Sequence, residues 1–300
     1  MPEPDAETFE AHRDLMFAVA YRMLGTVADA EDAVQDAWLR WSAAPRRDVT
    51  QPRAYLTRII TNTSLNLLRS VRARREAYLG PWLPEPLLTT ENPDFAERAV
   101  VAESVSLAML VVLESLTPEE RAVFVLREVF GLSHAEIAAA LDRSDASVRQ
   151  LAHRAREHVQ ARRPRFVVDR GQQREVTRRF LDAAGGGDLD QLMSVLAPEV
   201  TLTSDGGGLA RAARRPVTGA AKVARLLLGL VNRQQSGRFA PGGQSELAQI
   251  NGDPGLLITA DGRAFAAMTW QVSGGQVTAL HLITNPDKLA AISAGRTLPI

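Results

Sequence analysis

The 300-residue chain has no cysteine. That excludes disulfides, thiolate zinc sites and a thiol nucleophile, and it fits a reducing compartment. Lysine is scarce, with only Lys222 and Lys288 beside abundant arginine and alanine, a bias expected of a GC-rich genome. Neither sign of charge is in excess: the formal net charge is zero, which argues against a surface that adheres to nucleic acid everywhere. Long apolar runs are missing as well. The longest, such as "VVLESL" and "VARLLLGLV", fall far short of the roughly 20 residues of a membrane span. A secretion signal needs positive charge near the N-terminus, where this chain has Glu3, Asp5, Glu7 and Glu10. The expectation is a soluble cytoplasmic protein with no membrane partner, its 45% apolar residues supplying cores for two or three domains.

Charge is clustered locally. Arg69, Arg72, Arg74 and Arg75 crowd one helix end, and a second basic run extends from Arg149 to Arg165. Either could be an ordinary solvated face, so their settings decide.

The second run lies inside "LSHAEIAAALDRSDASVRQLAHRAREHV". Ile137 and Leu141 mark a short helix, "DRS" interrupts it, and Val148, Leu151, Ala152, Ala155 and Val159 begin a new apolar stripe. Ser144 is placed to cap the second helix, with Asp145 favoured by the helix dipole in its first turn. This stripe leaves Arg149, Gln150, His153, Arg154 and Glu157 outward, near the end that a helix-turn-helix inserts into the major groove. Arginine and glutamine can each pair bidentately with a base edge. His153 has no second ligand at metal-binding spacing, so no metal is expected.

The first run ends the helix "PRAYLTRIITNTSLNLLRSVRARR". Leu56, Ile59, Ile60, Thr63 and Leu67 form its buried stripe, while Arg58, Asn62, Arg69 and Arg72 make an opposite ladder suited to phosphates and exposed bases. Upstream, "EDAVQDAWLRW" has a core stripe of Val34, Ala37, Trp38 and Trp41. Its other face carries Glu31, Asp32, Gln35 and Asp36 with no local arginine partners, a patch natural on a basic protein partner and odd on DNA.

Two helices facing nucleic acid, in separate helical blocks, with an acidic face on the first block: this combination resembles the extracytoplasmic-function (ECF) sigma factors of bacterial RNA polymerase, from about residue 8 to 163. In the family's order, "YRMLGTVADAEDAVQDAWLRW" is similar to the region that docks on the polymerase clamp helices, which implies Asp32, Gln35 and Asp36 as contacts to core RNA polymerase. The "SAAPRRDVTQP" loop and "YLTRIITNTSLNLLRS" are similar to the part that opens the minus-ten element. The resemblance implies that Arg58, Asn62, Arg69 and Arg72 hold promoter DNA there. "LTPEERAVFVLREVFGLSHAEIAAALDRSDASVRQLAHRAR" is similar to the region that reads the minus-thirty-five element, with Arg149, Gln150, His153 and Arg154 as its DNA contacts. Opening a promoter without a motor requires binding the unstacked base more tightly than the stacked one, and a pocket with polar loop residues suits that task.

Between the blocks stands "YLGPWLPEPLLT". Pro81, Pro84 and Pro86 remove backbone donors and stiffen an extended connection, but a pure spacer has no use for Trp82, Leu83 and Leu87. Their apolar surface needs a docking place, either on polymerase or on the protein itself, and the sequence leaves the two open.

After Arg165 to Arg170 the pattern changes to helix, glycine-rich turn, helix, a strand from Val200, a helix over "PVTGAAKVARLLLGLVNR", and the strands "QSELAQI", "GLLITA", "AFAAMTWQV" and "QVTALHLIT" in a hairpin-rich antiparallel arrangement. Helices followed by a curved sheet give an α+β cone. This block resembles the SnoaL-like branch of the NTF2-like fold. With "GPWLPEPL", "DGGG" and "NPDKL" present, the chain is similar to the sigma-factor subgroup with a fused C-terminal SnoaL-like domain, the sigma J type. The expected organisation is sigma region 2 over 1–76, a Pro-rich linker over 77–103, a region 4 helix-turn-helix over 104–164 and the SnoaL-like domain over 165–300. The resemblance implies that the fused domain replaces a separate anti-sigma factor, that the extreme C-terminal tail tunes activity, and that Trp82, Pro84, Asp205, Gly206, Gly207, Gly208, Asn285, Pro286 and Asp287 are regulatory contacts. The family's usual lysine after "DGGG" is Leu209 here, with Arg211, Arg214 or Arg215 as substitutes for its ion pair.

Cone folds of this type also host enzymes, so fold alone assigns no activity. Asp205 and His281 are the acid/base candidates, the strand alternation aiming His281 inward beside Trp270. No base with an orienting partner is evident, and no enzyme and no cofactor are expected. A small-molecule ligand in the cone that releases the sigma domains is the better alternative. A different function class, a ligand-responsive helix-turn-helix repressor acting without polymerase, would leave the acidic "EDAVQD" face without use.

Overall fold

The computed structural model describes residues 6–43, 49, 51–89, 106–162 and 170–298, without the side chains at 72–74 and 170. Glu3 and Asp5, most of the 44–50 loop, the linker beyond Thr89, most of the 165–170 boundary and the side chain of Arg72 lie outside the described residues.

Three helices form the first unit: α1 (Ala6–Leu24), α2 (Val27–Ala43) and α3 (Pro52–Glu76). On α2, Ala30, Ala33, Val34, Ala37 and Trp41 line one face, and the alanines let α1 approach closely. Pro52 begins α3, where its missing N–H costs no hydrogen bond. Leu56, Ile59, Ile60 and Thr63 are buried as the periodicity predicts. Leu65 and Leu68 are buried too, while Leu67 is only partly so. The wider stripe arises because a second helical unit packs against α3 from the other side.

That unit comprises α4 (Leu107–Leu113), α5 (Pro118–Phe124) with a π-helical turn (Val125–Val129), α6 (His134–Leu141) and α7 (Asp145–Arg162). "LTPEE" is a capping box: Thr117 accepts from the Glu120 amide, Glu120 from the Thr117 amide, and Pro118 takes the first helical position. Ser133 and Glu136 repeat the device on α6. Asp142, in the left-handed region at φ 52°, ends α6, and the Ser144 hydroxyl accepts the Ser147 amide at 3.2 Å, capping α7. The two-helix turn read from the sequence is present, with Val148, Leu151, Ala152, Ala155 and Val159 buried.

One hydrophobic cluster joins both helical units, and Leu87, Ala291 and Leu298 enter it from outside. The units are packed together rather than held apart.

The third unit opens with α8 (Arg170–Gly186) and α9 (Leu189–Val195), then β1 (Leu196–Asp205), β2 (Val217–Thr218), α10 (Ala220–Gln235), β3 (Gln244–Ile250), β4 (Asp253–Ala260), β5 (Arg263–Ser273), β6 (Gln276–Ile283) and α11 (Pro286–Ser293). The sheet order is β2-β1-β6-β5-β4-β3, antiparallel except for the parallel β1–β6 pair. The expected strand starts four residues before Val200, and Val217–Thr218, read as helix, is an edge strand on Leu202 and Thr201. Proline at 216 and the β-branched pair that follows explain the late helix start. Leu202, Leu280 and Trp270, aligned across β1, β6 and β5, face Phe180, Val223 and Leu227. The opposite face, with Leu257, Ala267 and Ile283, is covered by Leu83 of the linker, Leu107 of α4, and Leu289 and Ile292 of α11. The linker is thus part of this domain's core.

Candidate functional site

The strip "PWLPEPLLT" runs without regular structure between all three units, and Leu83, Glu85, Leu87 and Thr89 are buried. Toward the first unit, the Glu85 amide donates to the Gly25 carbonyl at 2.8 Å, and the Tyr21 hydroxyl donates to the Glu85 carbonyl. The Glu85 carboxylate accepts the Val27 amide at 2.7 Å. Val27 is the first residue of α2, so a linker acid satisfies an otherwise free donor at the positive end of the acidic-faced helix. Burial pushes the Glu85 carboxyl up to about 7, against the lowering effects of that amide and of Lys288.

Toward the third unit the strip meets Asp205, which is fully buried. Its carboxylate accepts from the Tyr78 hydroxyl (2.6 Å), the Leu83 amide (2.8 Å), the Gly207 amide (3.1 Å) and the Lys288 ammonium (2.7 Å). Lys288 also donates to the Leu83 carbonyl. Burial lowers Lys288 to about 8 despite the Asp205 carboxylate beside it. The ion pair expected of an arginine at 211, 214 or 215 is therefore made by Lys288, and those arginines and Leu209 face solvent.

Asn285 caps α11 through its oxygen, which accepts the Asp287 amide at 3.1 Å, and its amide nitrogen donates to the Tyr78 hydroxyl at 2.8 Å. Pro286 and Asp287 sit exposed in the first turn of α11. Gly206 accepts the Leu209 and Ala210 amides, and Gly208 lies against Leu79. Gly207 has φ +60°, and a Cβ there would fall 2.4 Å from the Asn285 amide nitrogen, so glycine is required twice over.

Asn251 makes a second clasp. It exchanges backbone and side-chain hydrogen bonds with Leu87 (2.8 and 2.9 Å) and donates to the Tyr21 hydroxyl at 2.8 Å. Beyond it, Leu88 bridges both Ile250 and Thr297, the Leu298 amide donates to the Leu88 carbonyl at 2.8 Å, and Arg296 reaches Glu31 at 2.9 Å. Glu31, which has no arginine partner nearby in the sequence, thus holds both the distant Arg296 and Arg13, while Asp32, Gln35 and Asp36 stay exposed.

Trp82 lies between two cations. The Arg75 guanidinium is 3.5 Å and the Lys288 ammonium 4.1 Å from its ring centroid, desolvated contacts worth about 2 kcal/mol each. Arg75 also binds the Leu24 carbonyl and Glu114, and Glu114 binds Arg121, so the end of α3, the end of α4 and α5 meet at this ring. Pro84 is buried next to it. At Gly25, φ +76°, a Cβ would strike the Trp82 ring at 2.8 Å.

Of the DNA-facing candidates, Arg149, Gln150, His153 and Arg154 lie exposed along α7. Arg149 pairs with Asp145, His153 approaches Glu157 at 3.5 Å, and Arg154 reaches Glu120 at 3.3 Å. On α3, Arg58 is exposed, Asn62 donates to the Ala140 carbonyl at the end of α6 (3.0 Å), and Arg69 pairs with Glu119 of α5 (3.1 Å). His281 lines up with Thr269, whereas Trp270 lines up with Leu280, so the two rings occupy opposite faces of the sheet. Burial lowers His281 to about 4, and its Nδ1 has no hydrogen-bond partner among the described residues.

Sequence reasoning missed Tyr21, Tyr78, Glu85, Asn251 and Lys288 as parts of the site. Lys288 had a signal, being one of two lysines in the chain; Asn251 was hidden in what reads as a plain "NGDPG" turn.

Comparison with known proteins fits this geometry. The sigma-70 region 2 family matches residues 8–75, and sigma-70 region 4 matches 106–159. The chain is 44% identical to the ECF RNA polymerase sigma factor SigJ of Mycobacterium tuberculosis over 95% of its own length and 93% of that protein's. It is 32% identical to the probable ECF sigma factor SigI of the same species, over 97% of each. The crystal structure of SigJ superposes with a TM-score of 0.75 at 40% identity, covering 98% of this chain and 100% of that one. With likeness along nearly its whole length, the chain belongs to the ECF sigma factors of bacterial RNA polymerase, the proteins that direct promoter-specific initiation, and carries a fused C-terminal α+β domain.

Proposed function

We propose that this sigma factor is restrained in cis by its fused domain, acting through the linker in place of a separate anti-sigma factor. The observation that carries the reading is the double clasp on residues 82–89: Tyr21, Gly25 and Val27 hold the strip from one side, and Asp205, Asn251 and Lys288 hold it from the other. While it is held, region 4 covers part of the α3 face, with Asn62 on Ala140 and Arg69 on Glu119. The same residues cannot then grip minus-ten DNA. Release of the strip lets region 4 swing away, so that Arg58, Asn62, Arg69 and Arg72 meet the opened element and Arg149, Gln150, His153 and Arg154 meet the upstream duplex.

Asp32, Gln35 and Asp36 stay exposed in the closed form, ready for the polymerase clamp, while Arg296 shields the neighbouring Glu31. The reading places the protein in the cytoplasm with polymerase, and no described helix is long and apolar enough to cross a membrane. It assigns no catalysis: Asp205 is saturated with donors, and His281 Nδ1 has no orienting partner among the described residues. A small molecule that binds the fused domain would be the releasing signal; Phe180, Trp270 and Leu227 are themselves packed in that domain's core.

Run-off transcription with core polymerase tests the restraint. Trp82→Ala and Asp205→Asn are expected to raise initiation severalfold over the unaltered chain; equal output from all three sinks self-restraint.

A further inference from the structure

Helix α10 is long enough to span the sheet: sixteen residues give about 24 Å, against roughly 19 Å from β1 to β3. It starts on β1 and β2, where the Gly219 amide donates to the Val200 carbonyl at 2.9 Å. It ends beside β3, where the Gln234 side-chain nitrogen donates to the Gly243 carbonyl at 3.0 Å. Glycine permits this tie, because a Cβ on Gly243 would fall 2.9 Å from that nitrogen. The helix therefore crosses β6, β5 and β4 on the face that carries Leu202, Leu280 and Trp270.

Burial fades in two directions beneath it. Along α10, Val223, Ala224 and Leu227 are buried, whereas Leu230, Val231 and Gln234, on the same face at helical spacing, are only half-buried. Across the sheet, Ser204, Leu282, Met268, Leu256 and Leu247 form one row from β1 to β3. Ser204 and Leu282 are buried, Met268 and Leu256 half-buried, and Leu247 is 64% exposed. A cleft is thus left between the second half of α10 and the β3–β5 side of the sheet. Leu230, Val231, Leu247, Leu256 and Met268 give it an apolar, uncharged lining. Gln234 is the polar member, and its Oε1 is buried with no hydrogen-bond partner among the described residues. An acceptor buried without a donor is destabilising, and a ligand that brings the donor removes that penalty.

We propose that this cleft binds an uncharged, largely apolar small molecule whose one hydroxyl or N–H group donates to Gln234, and that its binding releases the linker. The proposal rests on the reading of the linker as the restraint and names where the releasing signal acts. Coupling runs through the β3–β4 hairpin. Leu256 faces the cleft, and the next residue, Leu257, faces the other side of the sheet, packed with Leu83 of the linker and Leu107 of α4. The turn of the same hairpin carries Asn251, which clasps Leu87, and Ile250 at its edge bridges Leu88. A molecule wedged between α10 and β4 displaces the hairpin and draws Asn251 off the strip. Opening must in turn strengthen binding of that molecule, because the coupling is reciprocal.

The test titrates the full-length chain calorimetrically with naphthol, naphthalene and naphthalenesulfonate. Naphthol should bind at a single site, naphthalene about fivefold more weakly for want of the donor, and the sulfonate about tenfold more weakly for its charge. Gln234→Leu should bring naphthol down to the affinity of naphthalene. Leu256→Trp should fill the cleft and abolish both, and Met193→Gln on α9 should change neither; should Leu256→Trp fail to fold, Gln234→Leu decides alone. Asp205→Asn should bind naphthol severalfold more tightly, and saturating naphthol should raise run-off initiation by the unaltered chain with core polymerase. Absence of saturable binding, equal affinity for naphthol and naphthalene, binding that survives Leu256→Trp, or binding without a rise in initiation overturns the proposal. The restraint itself still stands in those cases if Trp82→Ala and Asp205→Asn initiate more than the unaltered chain. If they do not, the underlying reading has failed, whichever probe binds.

Discussion

Asp205 and Lys288 are a buried ion pair, and the two halves are not equivalent. Asp205 keeps a hydroxyl and two amides as donors if Lys288 is removed, whereas Lys288 without Asp205 retains a carbonyl, two aromatic faces and only the weaker influence of the Glu85 carboxyl. Stranding a buried charge costs about 3–5 kcal/mol. Asp205→Asn should therefore loosen the linker more than Lys288→Met, and the double variant should recover part of the loss. The part of the tryptophan emission that Trp82→Phe removes, separated in this way from Trp38, Trp41 and Trp270, reports this, since the Trp82 ring contacts both Arg75 and Lys288.

Proton linkage acts at the same residues. The docked Glu85 holds its proton to about pH 7 against 4.5 when free, so docking weakens as pH rises from 4.5 to 7. The docked Lys288 releases its proton near 8 against 10.5 when free, so docking strengthens again as pH rises from 8 toward 10.5. The strip should be held least firmly between about pH 7 and 8. Glu85→Gln should abolish the acid limb of a Trp82 fluorescence titration and leave the alkaline limb in place.

Among elements, α7 was legible because its signals are local: a capping serine, a three-residue turn and an apolar stripe at helical spacing. Arg149→Ala and Gln150→Ala should each weaken minus-thirty-five binding by about 1–3 kcal/mol, measured by titration of a promoter duplex, because each removes a potential bidentate base contact. The linker was half legible. Its prolines announce an extended strip and Trp82 announces docking, yet the partner is set by Tyr21, Asn251 and Lys288, which come from three distant parts of the chain. Glu85 as a cap on α2 could not be read at all, since a cap 58 residues away leaves no local pattern. The parallel β1–β6 pairing was missed for a related reason: turn residues signal hairpins, and nothing local signals a return across the sheet.

For the whole molecule, the sequence conveys two helical blocks and a cone but not that they share a core. Leu298, near the C-terminus, is buried in the cluster built by α1 to α7, and Leu83 and Leu107 fill the back of the β-sheet. Each unit thereby lends side chains to another, which couples the fused domain to the placement of region 4. Glu119→Lys should break the Arg69 contact and favour the open form, read as increased promoter binding by the free protein.

The absence of cysteine allows two thiols to be introduced cleanly, at the exposed Asn66 on α3 and Gln160 on α7, for single-molecule energy transfer between attached dyes. The account predicts one high-transfer state in the free chain, a low-transfer state on joining core polymerase and promoter, and a shift toward low transfer in free Asp205→Asn. A free chain already in the low-transfer state, or an Asp205→Asn chain that stays closed yet initiates freely, would contradict it.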